Sequence, residues 1–429
     1  EPFFFALYDR LTTIGDDMSV EPLLATDWST SDDGLTLTMD LRDDVTFHDG
    51  TPFDAAAVVA NIQRAQTLEG STVKGQLDMV TNVEAASPTQ VIFTLSHPAA
   101  SLPATLAGAA GAMISPKAIA DGRDLAAGPG DGGSGPYVTE SVTIGERIVL
   151  VPASDYWDSS VTQLDRLEIL LITDQQTRLS ALQTGEVDAA ATGADPEDVA
   201  RAQQLADSGD FQYVTRPTST LMGLMMRSKR PGIDDPTVRK AIVAAIDRTS
   251  IVDGLLAGSC TASAQIFPEG TPGHVADLDA APYDEGTALR DSGLTGPLEM
   301  VVNAGQQPFA RVAEVIQSQL QAAGLETQIT PLSSVEALAK FREDGTDFWM
   351  YQLNGSLDPA LTVSDYILGD RFGSTSQTIA DAVTAAEAAG DAEERATALE
   401  AVSEAVADEA VIAPICFLNA NWLATNDVA

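Results

Sequence analysis

The sequence predicts an α/β protein with mixed sheets, β-rich at first and alternating strand with helix afterwards. Three observations carry this. The first 140 residues hold period-two apolar patterns set off by Asp-Gly turns. From about residue 165 the pattern becomes strand–helix–strand, as in α/β layers. The chain has 429 residues and is 44% hydrophobic, enough for two or three domains with buried cores.

The elements come in order. Asp33-Gly34 marks a turn, and Leu35, Leu37, Met39 and Leu41 then alternate with Thr36, Thr38 and Asp40, the pattern of a half-buried strand. Val45-Thr46-Phe47 and Asp49-Gly50 repeat it. Thr51 is placed to cap a helix over 55–66, with Pro52 at its first position, Asp54 in its first turn, and Val58, Ile62 and Ala65 on one face. The run Gly128-Pro129-Gly130-Asp131-Gly132-Gly133-Ser134-Gly135 contains a formal GxGxxG. A nucleotide fingerprint needs a helix after it. Here Pro136–Glu140 reads as a strand, so a linker or hinge loop is expected.

Strand 167–173, helix 176–183 ending near Gly185, and strand 187–190 come next. Asp235-Pro236 opens a helix whose buried stripe is Val238, Ala241, Ile242, Ala245 and Ile246. Helix 309–323 ends at Gly324 and leads into strand 325–330. Ser333 or Ser334 caps helix 335–341, and strand 347–353 comes after it. Helices 377–389 and 392–407 precede a last strand, 411–418.

Charge removes several function classes. Acidic residues number 63 against 23 basic, a net charge of −40. Such a field repels phosphate backbones and anionic membrane surfaces, so nucleic acid is excluded as a partner. The longest apolar runs, near 106–114 and 411–418, fall far short of the roughly 18 residues of a membrane span. No P-loop, HExxH or CxxC motif is present, and His48, His97 and His274 are scattered. A Cys/His metal site therefore lacks its ligands, and a Ser-His-Asp centre lacks a motif. No catalytic residue, metal or cofactor is expected. By count alone, Cys260 and Cys416 are either two reduced thiols or one disulfide.

A set of ordered motifs carries more information. Leu7-Tyr8-Asp9-Arg10-Leu11 is followed by Glu21–Trp28, then Asp32–Thr38, then Leu41-Arg42-Asp43-Asp44-Val45-Thr46-Phe47-His48-Asp49-Gly50. Gly133–Tyr137, Asp155-Tyr156-Trp157, Arg178–Asp188, Asp235–Ile242 with Ala245–Arg248, Ala313–Gly324 and Leu357-Asp358-Pro359 continue the series. Together they resemble the family 5 extracellular solute-binding proteins, the dipeptide, oligopeptide and nickel receptors of ABC importers. The likeness covers nearly the whole chain.

The resemblance implies a two-lobed periplasmic-binding-protein-like fold with two crossing segments and an extra β-rich subdomain in the first lobe. Lobe one is expected over 1–228, with 16–136 as the subdomain and 413–429 completing the lobe. Lobe two is expected over 229–412, with crossings near 225–231 and 410–417. Trp28, Arg42, Arg239 and Asp247 fall on scaffold positions. Export and a crossing that contains Cys416 make a Cys260–Cys416 disulfide the expected pairing. The implied function is an extracytoplasmic receptor, periplasmic or a cell-surface lipoprotein, with any export signal removed. It captures a small polar solute by hinge closure and delivers it to the permease subunits of an ABC importer. It is expected to act as a monomer. An oligosaccharide receptor and a hydrolase on the same scaffold are the alternatives. The family pattern extends beyond both ends of this sequence, which implies trimmed ends.

Candidate contacts centre on Tyr351, Gln352, Asn354, Gly355, Ser356 and Asp358. Peptide receptors of the family carry Trp and Asp where Gln352 and Gly355 stand, and that Asp pairs with the peptide's ammonium. Neutral amides at this place suit hydroxyls and amides, so sugars and neutral peptide-like molecules compete with peptides as solutes. Tyr8, Ser219, Thr220, Met222, Gln265, Asn303, Gln306 and Phe372 complete the candidate set. Scarce histidine argues against nickel or haem.

Overall fold

The computed structural model describes residues 4–15, 18–123, 130–161, 164–193, 195–304, 307–343, 345–369 and 374–428. The chain forms two compact units, residues 1–172 with 387–395, and residues 173–386 with 396–429. The lobe boundary expected at residue 228 does not coincide with this division. Residues 173–228 group with the second unit because their long strand is central to its sheet. For the same reason 413–429 belong to the second unit.

The first unit is built on a four-stranded antiparallel sheet. Its strands β1 (Ala25–Thr30), β2 (Thr36–Leu41), β3 (Val80–Ser87) and β4 (Gln90–Leu95) lie in the order β1-β2-β4-β3. The alternation seen in the sequence is obeyed, since Leu37, Met39 and Leu41 are buried. Helix α1 (Ala55–Thr67) covers the sheet with Val58 and Ile62. Its cap is Asp54, whose Oδ1 accepts from Ala57 N at 2.9 Å, and not Thr51. The reason lies upstream. Phe53 N donates to Val45 O and Phe47 N to Thr51 O, so 51–53 are held extended and the helix starts later.

A second sheet in this unit has β5 (Tyr137–Thr143), β6 (Arg147–Pro152) and β7 (Leu167–Leu170). The glycine run before it is not a linker where it is described. Gly133 and Gly135 press against the backbone of Ala6 and Leu7, where a Cβ would overlap carbonyl oxygens. Gly135 N donates to Leu7 O at 3.1 Å, and His48 Nε2 donates to Gly135 O at 2.8 Å. Gly128 and Pro129 lie outside the described residues.

The second unit holds a seven-stranded mixed sheet. Its strands are β8 (Ala189–Thr192), β9 (Phe211–Met226), β10 (Cys260–Ala262), β11 (Leu298–Asn303), β12 (Thr327–Leu332), β13 (Phe348–Asn354) and β14 (Ile412–Thr425). They run β8-β14-β9-β13-β11-β12, with β10 paired to β14. The pairs β13/β11 and β11/β12 are parallel, as strand–helix–strand segments require, and the others are antiparallel.

Both faces of this sheet are covered. Met222, Leu224, Met300, Met350 and Cys416 point to a core shared with helices α4 (Pro236–Ala244) and α5 (Gln307–Ala322). Leu221, Val301, Trp349 and Leu353 point to the other core, with α6 (Ser334–Arg342), α7 (Gln377–Ala388) and α8 (Ala392–Glu409). Helices α2 (Gln175–Gln183) and α3 (Pro196–Asp207) pack where β8, β9 and β14 meet. Asp235 caps α4, and Ser333 with Glu336 forms a capping box on α6. Among the described residues no helix is long and apolar enough to cross a membrane.

The long strands β9 and β14 pair from end to end, with register shifts between Pro217 and Leu221 and between Met222 and Gly223. The segments expected as crossings lie at the end of β9 and the start of β14. They are neighbours there, with Met226 N donating to Val411 O at 3.0 Å. Cys260 and Cys416 are disulfide-bonded, which fastens β10 to β14.

Candidate functional site

Six of the candidates, Ser219, Thr220, Gln352, Asn354, Gly355 and Ser356, lie at one end of the central sheet of the second unit. Strand β13 runs antiparallel to β9, with Thr220 opposite Asn354, Leu221 opposite Leu353 and Met222 opposite Gln352. Side chains opposite one another share a face. Thr220, Gln352 and Asn354 therefore stand on the face whose interior holds Met222 and Met350. Ser219 faces Gly355 across the strands, and Gly355 N donates to Ser219 O at 3.2 Å.

Gln352 Nε2 donates to Asn354 Oδ1 at 3.0 Å. Whichever way the two amides are turned, a bonded pair leaves one carbonyl and one NH2 facing outward. The Thr220 and Ser219 hydroxyls have no partner among the described residues. Gly355 cannot be replaced in place. A Cβ there would fall against the Ser219 hydroxyl, its Cβ and its carbonyl oxygen. Ser356 N donates to Thr362 Oγ1 at 2.8 Å, which turns the chain into the short helix after the loop.

Five candidates are held by the fold instead. Met222 has no exposed surface and lies in the core. Asp358 caps that short helix, its Oδ1 accepting from Ala360 N at 2.9 Å and Leu361 N at 3.3 Å. Asn303 is buried and its Oδ1 accepts from Trp349 Nε1 at 3.3 Å. Gln265 bonds both ways with Val275, donating to its O at 2.7 Å and accepting from its N at 2.9 Å, and so closes a loop. Tyr8 belongs to the first unit, buried beside the Phe4 ring, where burial pushes its phenol up to about 12. Gln306 and Phe372 lie outside the described residues. Tyr351 is half-buried, its ring 4.1 Å from that of Trp349.

One property of this end of the sheet was not read from the sequence. No charged residue occurs in 217–226, 348–357 or 410–425, although 20% of the chain is charged. Burial explains the inner positions. It does not explain Thr218, Ser219, Thr220, Gln352, Asn354, Ser356 and Asn419, which are exposed or half-exposed. The signal was available as three long uncharged runs, but only strand pairing shows that they are neighbours. Among the described residues no group of three or more His, Cys, Asp or Glu is placed to hold a metal ion.

The model of the bacterial extracellular solute-binding proteins, family 5, matches residues 19–374. The chain belongs to this family. Among curated relatives, the glutathione-binding protein GsiB of Salmonella paratyphi A is 30% identical over 347 residues. That match takes in 79% of this chain and 66% of GsiB, so the chain spans just under two thirds of the length of such relatives. An ABC transporter substrate-binding protein of Sinorhizobium meliloti is similar in structure, with TM-score 0.80 and 26% identity over 99% of this chain and 90% of that one. NikA of Brucella suis, in complex with Fe(III)-EDTA, has TM-score 0.84 at 22% identity, covering 99% of this chain and 91% of NikA. The fold is that of the two-lobed solute-binding proteins. Within a family 5 member, the motifs at Asp9, Tyr156, Trp157, Arg239 and Asp358 have structural work. Asp9 takes hydrogen bonds from Tyr156 and Trp157, Arg239 is bonded to backbone carbonyls, and Asp358 is a helix cap.

Proposed function

We propose that this family 5 protein is an extracytoplasmic receptor that binds a small polar solute and passes it to the permease of an ABC importer. The family match over 19–374 carries the reading. The name of the GsiB relatives makes glutathione and short peptides the first solutes to test. The receptor works as a monomer and changes no bond in its solute. The chemistry at the sheet end, amides and hydroxyls that offer hydrogen bonds, supports binding of a polar solute.

The test is equilibrium dialysis of the protein against the low-molecular-mass fraction of a rich growth medium, with glutathione titrated separately by calorimetry. Saturable retention of about one solute per chain is expected, and mass spectrometry should recover that solute unchanged. No retention from the fraction would overturn the receptor reading. A solute released in cleaved form would replace it with a hydrolase.

A further inference from the structure

We propose that the end of the central sheet formed by Thr220, Gln352 and Asn354 grips an uncharged part of the solute, a group bearing hydroxyls or amides, and that no free ammonium is needed for capture. This rests on the receptor reading above and names the solute chemistry it selects.

Three independent observations support it. The first is the amide pair. Gln352 and Asn354 bond to each other and present one acceptor and one NH2 outward, beside the Thr220 hydroxyl directly across the strands, which has no partner among the described residues. Such a pattern matches a group that both donates and accepts, as sugar diols and amides do. An ammonium only donates, so it would leave the outward NH2 unmatched and buried against a like donor.

The second is the absence of charge. A captured ammonium loses its water and needs a carboxylate or several directed oxygens to replace it. The strand segments 217–226, 348–357 and 410–425 carry none of the chain's 63 acidic residues. The nearest acid along β13 and its loop is Asp358. It is 5% exposed and occupied with Ala360 N and Leu361 N.

The third is steric. An acid could be brought to the loop at residue 355, but Ser219 fills the space a side chain would need. Neutrality is therefore built into the packing of two strands and does not hang on one residue.

The experiment uses the same growth-medium fraction before and after treatment with aqueous acetic anhydride, which blocks amines and leaves amides and hydroxyls. The protein is dialysed against each, and the retained solute is released and quantified by mass spectrometry. Retention is expected to fall less than fivefold after blocking. A fall of fivefold or more would overturn the proposal, because the amine would then be part of recognition. Retention from neither fraction would overturn the receptor reading itself.

Variants separate this sheet end from the rest of the surface. Thr220→Val and the double change Gln352→Leu with Asn354→Leu keep shape and remove polar atoms. Each is expected to weaken retention by about fivefold or more, with the melting transition as a check on folding. Unchanged retention by a folded double variant would sink the assignment. A gain of function closes the argument. Ser219→Gly with Gly355→Asp makes room for an acid and places one there, and it is expected to make retention sensitive to amine blocking. The same insensitivity as in the parent protein would count against the steric argument.

Discussion

Asp9 is a carboxylate with 3% exposure whose two oxygens accept from Tyr156 OH at 2.9 Å and Trp157 Nε1 at 3.0 Å. Burial pushes it up to about 6, against the pull of those two donors and of the Arg10 and Arg42 guanidiniums. The folded protein thus holds this proton more tightly than the unfolded chain, whose Asp titrates near 3.8. Between those values folding takes up a proton. Stability from Asp9 therefore rises as pH falls through 6 and levels off below 3.8, by up to about 3 kcal/mol. Urea unfolding of the parent and of Asp9→Asn at pH 7, 6, 5 and 4 should show a steeper acid gain in the parent. Parallel pH profiles would show that Asp9 does not titrate in this range. The sequence displayed Asp9 and the pair Tyr156-Trp157 as separate motifs. That they meet on one carboxylate is a tertiary fact, since 147 residues separate Asp9 from Tyr156. Met222 teaches the converse. As a residue type it suits a solute pocket as well as a core, and only its position on the inward face of β9 decides for the core.

Among the elements, β10 is the most dependent on a covalent tie. It has three residues and, among the described residues, pairs only with β14, to which the Cys260–Cys416 bond holds it across 156 residues of sequence. Closing so long a loop restricts the unfolded chain by about 5 kcal/mol in the entropy model. Replacing both cysteines by Ser is expected to lower unfolding free energy by about 2–5 kcal/mol. Denatured, unreduced parent protein should show no thiol with a colorimetric reagent, and two reactive thiols would refute the bond. Element types were legible where one face is apolar and the ends are capped, as in α1, α4 and α6. The cap of α1 is Asp54 and not Thr51 because Thr51 is engaged in a hairpin, a non-local pairing that cap rules cannot see. Strand β9 was not legible as a strand. Pro217 and Gly223 interrupt it, and its two cores lie on opposite faces, so no period-two pattern survives.

The molecule as a whole carries −40 charges, with five lysines against eighteen arginines. Like charges repel in the compact state, and salt screens that repulsion, over about 10 Å at 0.1 M but about 3 Å at 1 M. The melting temperature is expected to rise by several degrees between 0.1 and 1 M NaCl. A flat or falling profile would mean that the ion pairs on the surface already offset the repulsion. Charge also frames the candidate site, because a neutral sheet end stands out in a protein this acidic. The sequence by itself determined the α/β class, the order of its motifs and the absence of a membrane-length apolar run. These are local or compositional properties, written in periods of two and 3.6 residues and in motif spacing. Only the tertiary structure decided which candidates are held by core packing and hydrogen bonds, where the compact units part, and which strands adjoin. Those outcomes depend on pairing between segments far apart in the chain. Thr220 and Asn354 become neighbours on one face only when β9 and β13 take their register, and a shift by one residue would turn each side chain to the opposite face.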